Sequence, residues 1–291
     1  MRSREYPGSE IVIEKTLAPG VNYSQYIASY KSDELKIFAL LTVPNGPKPA
    51  TGWPVVVFNH GFIPPNTYRT TERYLAYLAA FASTGFIVFK SDYRGHGSSE
   101  GVAYGGYGST DYTVDVLNGL RSIEHYKDAD PNRVGMWGHS MGGSVTLRAM
   151  VTVDEIKAGV IWGGVVAPYG DILTKWRRPI ANAPLTHSAR SWREGLVKEY
   201  GSPVDNPAFW YAISPNSAIT NVAPIQIQAA TTDEEVPFAF SQTLADELKA
   251  ANRTYEFFSY PGDNHNMSNN LAIALLRSVA WFDKYVKNAA K

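Results

Sequence analysis

Two hydrophobic patterns divide the chain. Over residues 10–43 apolar and polar positions alternate, most clearly at 10–13, 22–27 and 35–40. That is the period of strands with one solvated face, and it predicts two or three antiparallel strands. Asp33-Glu34 supplies a hairpin turn, and the breaker-rich run Pro44-Asn45-Gly46-Pro47-Lys48-Pro49 reads as a loop. From there the pattern changes. Pro54-Val55-Val56-Val57-Phe58-Asn59 is continuously apolar, as expected of a strand covered on both faces. A helix is predicted over 70–83, with Tyr74, Leu75, Leu78 and Phe81 on one side and Gly85 as its stop. Phe86-Ile87-Val88-Phe89 is the next buried strand, and 111–126 a second helix with Val114, Leu117, Leu120 and Ile123 on one stripe.

The rhythm continues through a short apolar strand ending near residue 138, a helix after it, and a strand at 157–162. Residues 168–222 interrupt it with Trp, Arg and Pro, and predict a small helical cap over the C-terminal edge of the sheet. A structureless crossover of that length would be unusual. Strand 224–228, helix 238–250, strand 255–258 and a closing helix over 268–286 follow. Strands alternating with helices imply parallel βαβ units and a doubly wound, mostly parallel sheet. The whole, residues 1–291, reads as one α/β domain, with a strand extension over about 1–50 and the cap inserted at 168–222.

Composition narrows the function classes. The formal net charge is zero, with no long basic run, so nucleic acid and anionic membrane surfaces are poor partners. No apolar run is long enough to span a bilayer. There is no cysteine, which excludes disulfides and thiolate metal sites. The first residues, Met1-Arg2-Ser3-Arg4-Glu5-Tyr6-Pro7, hold no apolar signal core. Cytoplasmic location is the default expectation, with export the alternative if a leader preceded this sequence. No two histidines stand at H-x-x-x-H spacing, and no carboxylates have EF-hand spacing. The glycines between 101 and 108 do not form a dinucleotide fingerprint, so no cofactor is expected.

The chemistry centres on Gly138-His139-Ser140-Met141-Gly142, a G-x-S-x-G turn between strand and helix. In such an elbow the serine is strained, and glycines two before and two after it avoid crowding. A serine there is also a good N-cap. The apolar strand before it and the stripe Val145, Leu147, Met150, Val151 after it favour a nucleophile. A hydroxyl needs a base. His265 lies in a polar loop at the end of a strand, just before the last helix, in the chain order Ser…Asp…His. Asp233 comes first off the strand at 224–230 and is the expected partner acid. Glu234 and Glu235 are expected to cap the following helix, and Asp263 is a weaker rival acid. Oxyanion donors are expected at the N–H groups of Met141 and Phe62.

Taken together, Asn59-His60-Gly61-Phe62, Asp92-Tyr93-Arg94-Gly95-His96-Gly97-Ser98-Ser99, Gly138-His139-Ser140-Met141-Gly142-Gly143, Asp233-x-x-Val236-Pro237 and Gly262-x-x-His265 resemble an α/β-hydrolase. The resemblance is closest to the prolyl-oligopeptidase-like and dienelactone-hydrolase-like branch and covers about residues 25–288. It implies a Ser140–His265–Asp233 triad with oxyanion donors at Phe62 and Met141. It gives Arg94 and His96 a structural role and makes His139 a packing residue. Peptidases of the branch carry an N-terminal propeller, whereas this chain has only a strand-rich extension.

The leading expectation is a serine carboxylesterase, feruloyl-esterase-like, cleaving short-chain or aromatic acyl esters, hydroxycinnamoyl esters among them, through an acyl-enzyme. A peptidase or amidase on the same machinery is the alternative. A hydrolase-fold binding protein is a third reading, against which the intact Ser/His/Asp set argues. Esters are favoured by the missing propeller and by the absence of a recognisable acid pair for a peptide N-terminus. Trp176, Trp192 and Trp210, with Phe209 and Tyr211, are expected to meet a small-molecule ester substrate, or else to anchor the cap to the sheet. Arg177, Arg178, Arg190 and Arg193 make the cap too polar for a typical lipase lid.

Overall fold

The central strand, β4 (Trp53–Asn59), is the apolar run expected from its sequence. Its residues alternate between two separate cores, as a pleated strand must. Val55 and Val57 pack on one face of the sheet and Val56 and Phe58 on the other. The computed structural model describes residues 1–104, 106–176 and 187–288. Among them β4 belongs to a nine-stranded sheet of order β1-β2-β3-β5-β4-β6-β7-β8-β9. The other strands are β1 (Val12–Thr16), β2 (Tyr23–Ser32), β3 (Leu35–Pro44), β5 (Ile87–Ser91), β6 (Ala129–His139), β7 (Ile156–Trp162), β8 (Ile225–Ala230) and β9 (Tyr255–Tyr260).

Strands β1 to β3 form the antiparallel meander that their alternation predicts, and β3 joins β5 antiparallel. Every later pairing is parallel. The hairpin between β2 and β3 turns at Asp33, whose φ is 53°. Helices α2 (Asp111–Glu124), α3 (Met141–Met150) and α7 (Phe238–Ala250) supply Leu117, Leu120, Val145, Leu147, Leu244 and Leu248 to one core. Helices α1 (Leu75–Ala82) and α8 (Leu271–Phe282) cover the other with Leu78, Phe81, Ala274 and Phe282. Between β7 and β8 lie the helices α4 (Tyr169–Lys175), α5 (His187–Tyr200) and α6 (Pro207–Ala212) and a 3₁₀ turn, Pro215–Asn221.

The first helix is shorter than periodicity predicts. Thr70 to Tyr74 do not enter it, and Arg73 and Tyr74 both have a left-handed φ of 57°. Tertiary bonds hold this segment elsewhere: the Thr70 hydroxyl and the Tyr68 hydroxyl both bond the buried Asp92 carboxylate. Hydrogen bonds to fixed partners outweigh the few tenths of a kcal/mol per residue of helix propensity.

Strand β4 sits where the winding of the sheet reverses. Its parallel neighbours are β5 on one side and β6 on the other. In open α/β sheets such a switch point opens a crevice beyond the carboxyl ends of the strands. The loops after β4, β6, β8 and β9 therefore converge there.

Candidate active site

Ser140 follows β6 directly and precedes the first turn of α3. Its backbone has φ 57° and ψ −120°, a sparsely populated conformation that persists only where the surroundings impose it. Here they do. The Ser140 N–H donates to the Trp162 carbonyl at 2.9 Å, and its own carbonyl accepts from Gly143 and Val165. The flanking glycines are needed for space. A Cβ on Gly138 would lie 2.2 Å from the Gly142 carbonyl oxygen, and one on Gly142 only 2.0 Å from that of Asn59. The turn is thus packed against the end of β4, and Asn59 Nδ2 ties it further by donating to Thr146 Oγ1 at 2.8 Å.

Asp233 and His265 come from the loops after β8 and β9, the last parallel pair. His265 Nδ1 lies 2.7 Å from Asp233 Oδ2, both side chains nearly buried. A carboxylate oxygen accepts, so Nδ1 carries the hydrogen and Nε2 is left bare. Asp233 Oδ1 accepts the N–H groups of Glu235 at 2.8 Å and Val236 at 2.9 Å. The two loops are laced by further bonds: Thr232 Oγ1 donates to the Asp263 carbonyl, and Glu234 Oε2 accepts the His265 N–H at 3.0 Å.

A cleft of about 450 Å³ opens at this point, and Gly61, Phe62, Tyr74, Ser140, Glu234 and His265 are among its walls. The Met141 N–H is the first of α3, with no carbonyl available to it inside the helix. Among the described residues the Phe62 N–H has no protein acceptor. Both donors therefore remain available to a ligand.

Several expectations are corrected. Glu234 and Glu235 do not cap α7, whose first turn holds no acid and whose N-cap makes no side-chain bond. Asp233 satisfies the local N–H groups instead, and both glutamates line the cleft. Asp263 does not contact the His265 ring. It is buried and folds the histidine loop, accepting from the N–H groups of Asn264, Asn269 and Asn270 and from Asn270 Nδ2. Burial acts to raise its pKa, but these bonds, led by Asn270, outweigh burial and hold it below the usual carboxylate value.

Trp176, Trp192 and Trp210 are not among the residues that line the cleft. Trp176 and Trp210 are buried and donate their indole N–H to the carbonyls of Glu235 and Gly201. Trp192 packs on Tyr107 and under the Arg193 guanidinium. Arg177 and Arg178, and the Arg190 side chain, lie outside the described residues.

Arg94 has its structural role: it forks the buried Asp115 carboxylate and ties the loop after β5 to α2. His139 is more than packing, for both of its ring nitrogens have partners. Its neighbours could not be read from the sequence, because Tyr74 and His265 lie 65 and 126 positions away.

A model of the prolyl oligopeptidase family matches residues 73–289. An uncharacterized peptidase of Bacillus subtilis, YtmA, is 24% identical over 265 residues, covering 88% of this chain and 92% of the relative. Against larger relatives the chain spans only part of the length, 24% and 28% of two probable dipeptidyl-aminopeptidases B. Among solved structures, acylaminoacyl peptidase of Pyrococcus horikoshii shares the fold with a TM-score of 0.72 at 22% identity, over 93% of this chain and 43% of that one. Est1E of Butyrivibrio proteoclasticus, solved with ferulic acid bound, has a TM-score of 0.65 at 17% identity, over 88% of this chain and 99% of that one. With the family model spanning most of the chain and the elbow serine seated at the sheet's switch point, this protein belongs to the prolyl oligopeptidase family and is a serine hydrolase of the α/β-hydrolase fold.

Proposed function

We propose that the chain is a serine peptidase acting on short peptides through an acyl-enzyme. Ser140 Oγ attacks the scissile carbonyl, and the bare His265 Nε2 takes its proton. Asp233 holds the histidine in that tautomer and stabilises the imidazolium. The developing oxyanion is met by the N–H groups of Met141 and Phe62, a geometry in which each donor typically contributes about 10²–10³ in rate. The imidazolium then protonates the leaving amine, and water repeats the sequence on the ester of Ser140.

The observation that carries amide over ester is the pair of carboxylates on the cleft wall, Glu234 and Glu235. Adjacent acids beside the nucleophile suit the α-ammonium of a peptide. The names of the relatives point the same way. YtmA, of nearly the same length, is called a peptidase, so this length of chain is no argument for esters.

The esterase reading has its own support. Phe62 is 58% exposed at the cleft, ready to pack on an aromatic acyl group, and Est1E, with ferulic acid bound, matches almost end to end.

Turnover of dipeptide amides and of aryl esters of similar size separates the two. A peptidase cleaves the amides, loses most of that activity when the substrate is N-acetylated, and loses it again in the double variant Glu234→Gln/Glu235→Gln. Efficient ester cleavage with no detectable amide cleavage would overturn the proposal in favour of the esterase.

A further inference from the structure

Two loops must be held to a fraction of an ångström around Ser140, the one carrying Phe62 and the one carrying His265. Tyr74 and His139 lie between them. Tyr74 follows Arg73, both with φ 57°. Two consecutive left-handed residues, neither of them glycine, are costly and need a compensating reason. The reason is visible in what the tyrosine reaches. The Gly61 N–H donates to Tyr74 Oη at 3.0 Å. Tyr74 Oη stands 2.7 Å from His139 Nδ1, and His139 Nε2 stands 3.1 Å from the His265 carbonyl oxygen. Gly61 is tightly fitted here, since a Cβ on it would lie 2.8 Å from Tyr74 Oη and 3.2 Å from Ser140 Cβ.

The direction of every bond is dictated from the two ends. A backbone N–H can only donate and a carbonyl can only accept. His139 therefore carries its hydrogen on Nε2, its Nδ1 is a bare acceptor, and Tyr74 gives its single proton to that nitrogen. Burial first, and then the His265 ring beside it, hold the His139 pKa at about 3, so the ring keeps this neutral form. Burial likewise raises the Tyr74 pKa, so the phenol keeps its proton. With that proton committed to His139, Tyr74 acts on the oxyanion loop through Gly61 and not as an oxyanion donor. The far side of the same His265 residue is also secured, its N–H by Glu234.

We infer that Tyr74 and His139 are positioning residues forming one directional clamp that sets the oxyanion loop and the histidine loop together against the substrate carbonyl. The inference rests on the reading of Ser140 and His265 as nucleophile and base. It differs from the packing role expected of His139, because packing needs neither the accepting nor the donating nitrogen.

The test uses Tyr74→Phe, His139→Leu and His139→Gln in the full chain, each checked for a native fold. The glutamine amide can still accept from Tyr74 through its oxygen and donate to His265 through its nitrogen; leucine can do neither. Tyr74→Phe is expected to lower kcat about 10- to 100-fold, the loss that small misplacements of reacting groups produce, with KM within about twofold. His139→Leu should lose a similar amount, and His139→Gln should regain most of it. The double variant Tyr74→Phe/His139→Leu should lose little more than the worse single one, because one chain of bonds is broken either way. Wild-type kcat in a folded Tyr74→Phe, additive losses, or a folded His139→Gln no better than His139→Leu would overturn the clamp. Ser140→Ala, assayed alongside, separates the two claims. Activity surviving it removes the nucleophile reading itself, whereas a dead Ser140→Ala beside an unimpaired Tyr74→Phe removes only the clamp.

Discussion

Replacing Asp233 by asparagine changes one atom, and the structure dictates how the new amide must sit. Asp233 Oδ1 accepts two backbone N–H groups, those of Glu235 and Val236. Only the amide oxygen can take their place, so the NH₂ group is turned toward His265. Two donors cannot face each other across the 2.7 Å now separating Asp233 Oδ2 from His265 Nδ1. The imidazole must move its hydrogen to Nε2, the nitrogen that should accept the serine proton. A base held in the wrong tautomer costs on the order of 10⁴ in kcat, about 5.5 kcal/mol of barrier.

Alanine at the same position should lose a comparable amount of activity but behave differently in stability. Asparagine keeps both backbone bonds, and its unfolding midpoint should stay close to wild type. Alanine leaves two N–H groups without their acceptor, at about 1–3 kcal/mol each where they are buried. Steady-state kcat and urea denaturation on the three proteins make the comparison. Asparagine within tenfold of wild-type kcat would refute the tautomer argument. Asparagine as unstable as alanine would refute the orientation assigned to the amide.

Three further outcomes are expected. Glu234→Gln should stay within a few-fold of wild-type kcat on N-acylated substrates, since an amide oxygen can still accept the His265 N–H, and Glu234→Ala should fall further in the same assay. Trp210→Ala should cost about 3–5 kcal/mol in denaturant unfolding, as for other fully buried aromatics, and leave acyl preference unchanged, whereas Phe62→Ala should shift KM across an acyl series with little loss of stability. Lys90 is buried, which lowers its pKa from 10.5 to about 8 despite the nearby Asp92. Between about pH 8 and pH 10 the unfolded chain still binds a proton that the folded chain has released, so Lys90 makes stability rise with pH over that window. The slope of Tm against pH there should flatten in Lys90→Met; an unchanged slope would mean that Lys90 is not the group responsible.

Local chemistry was legible wherever neighbours in sequence are neighbours in space. Val55-Val56-Val57-Phe58 announces a strand covered on both faces because each residue meets a core on its own side. The meander of β1 to β3 is written in alternation, and Gly138 and Gly142 flank Ser140 because the turn leaves no room for a Cβ. The chain order of Ser140, Asp233 and His265 could be read because parallel strands bring successive carboxyl ends to one edge.

What the sequence could not decide depends on groups far apart along the chain. Periodicity reports that a side chain has an apolar side, and says nothing of which partner it meets. Tyr74 fits a helical stripe, yet bonds to Gly61 and His139 take it out of the helix. Trp176 and Trp210 offer the same aromatic area to a substrate or to a core, and tertiary packing buries both. Glu234 looked like a helix cap until the loop after β9 brought the His265 N–H to its carboxylate. Residue type and spacing thus determined the parallel pairing of the later strands, the elbow and which side chains are candidates for the reacting groups. Tertiary structure alone decided which polar groups surround them, because a hydrogen bond is settled by direction and distance within a few tenths of an ångström, and those are set only when the loops have met.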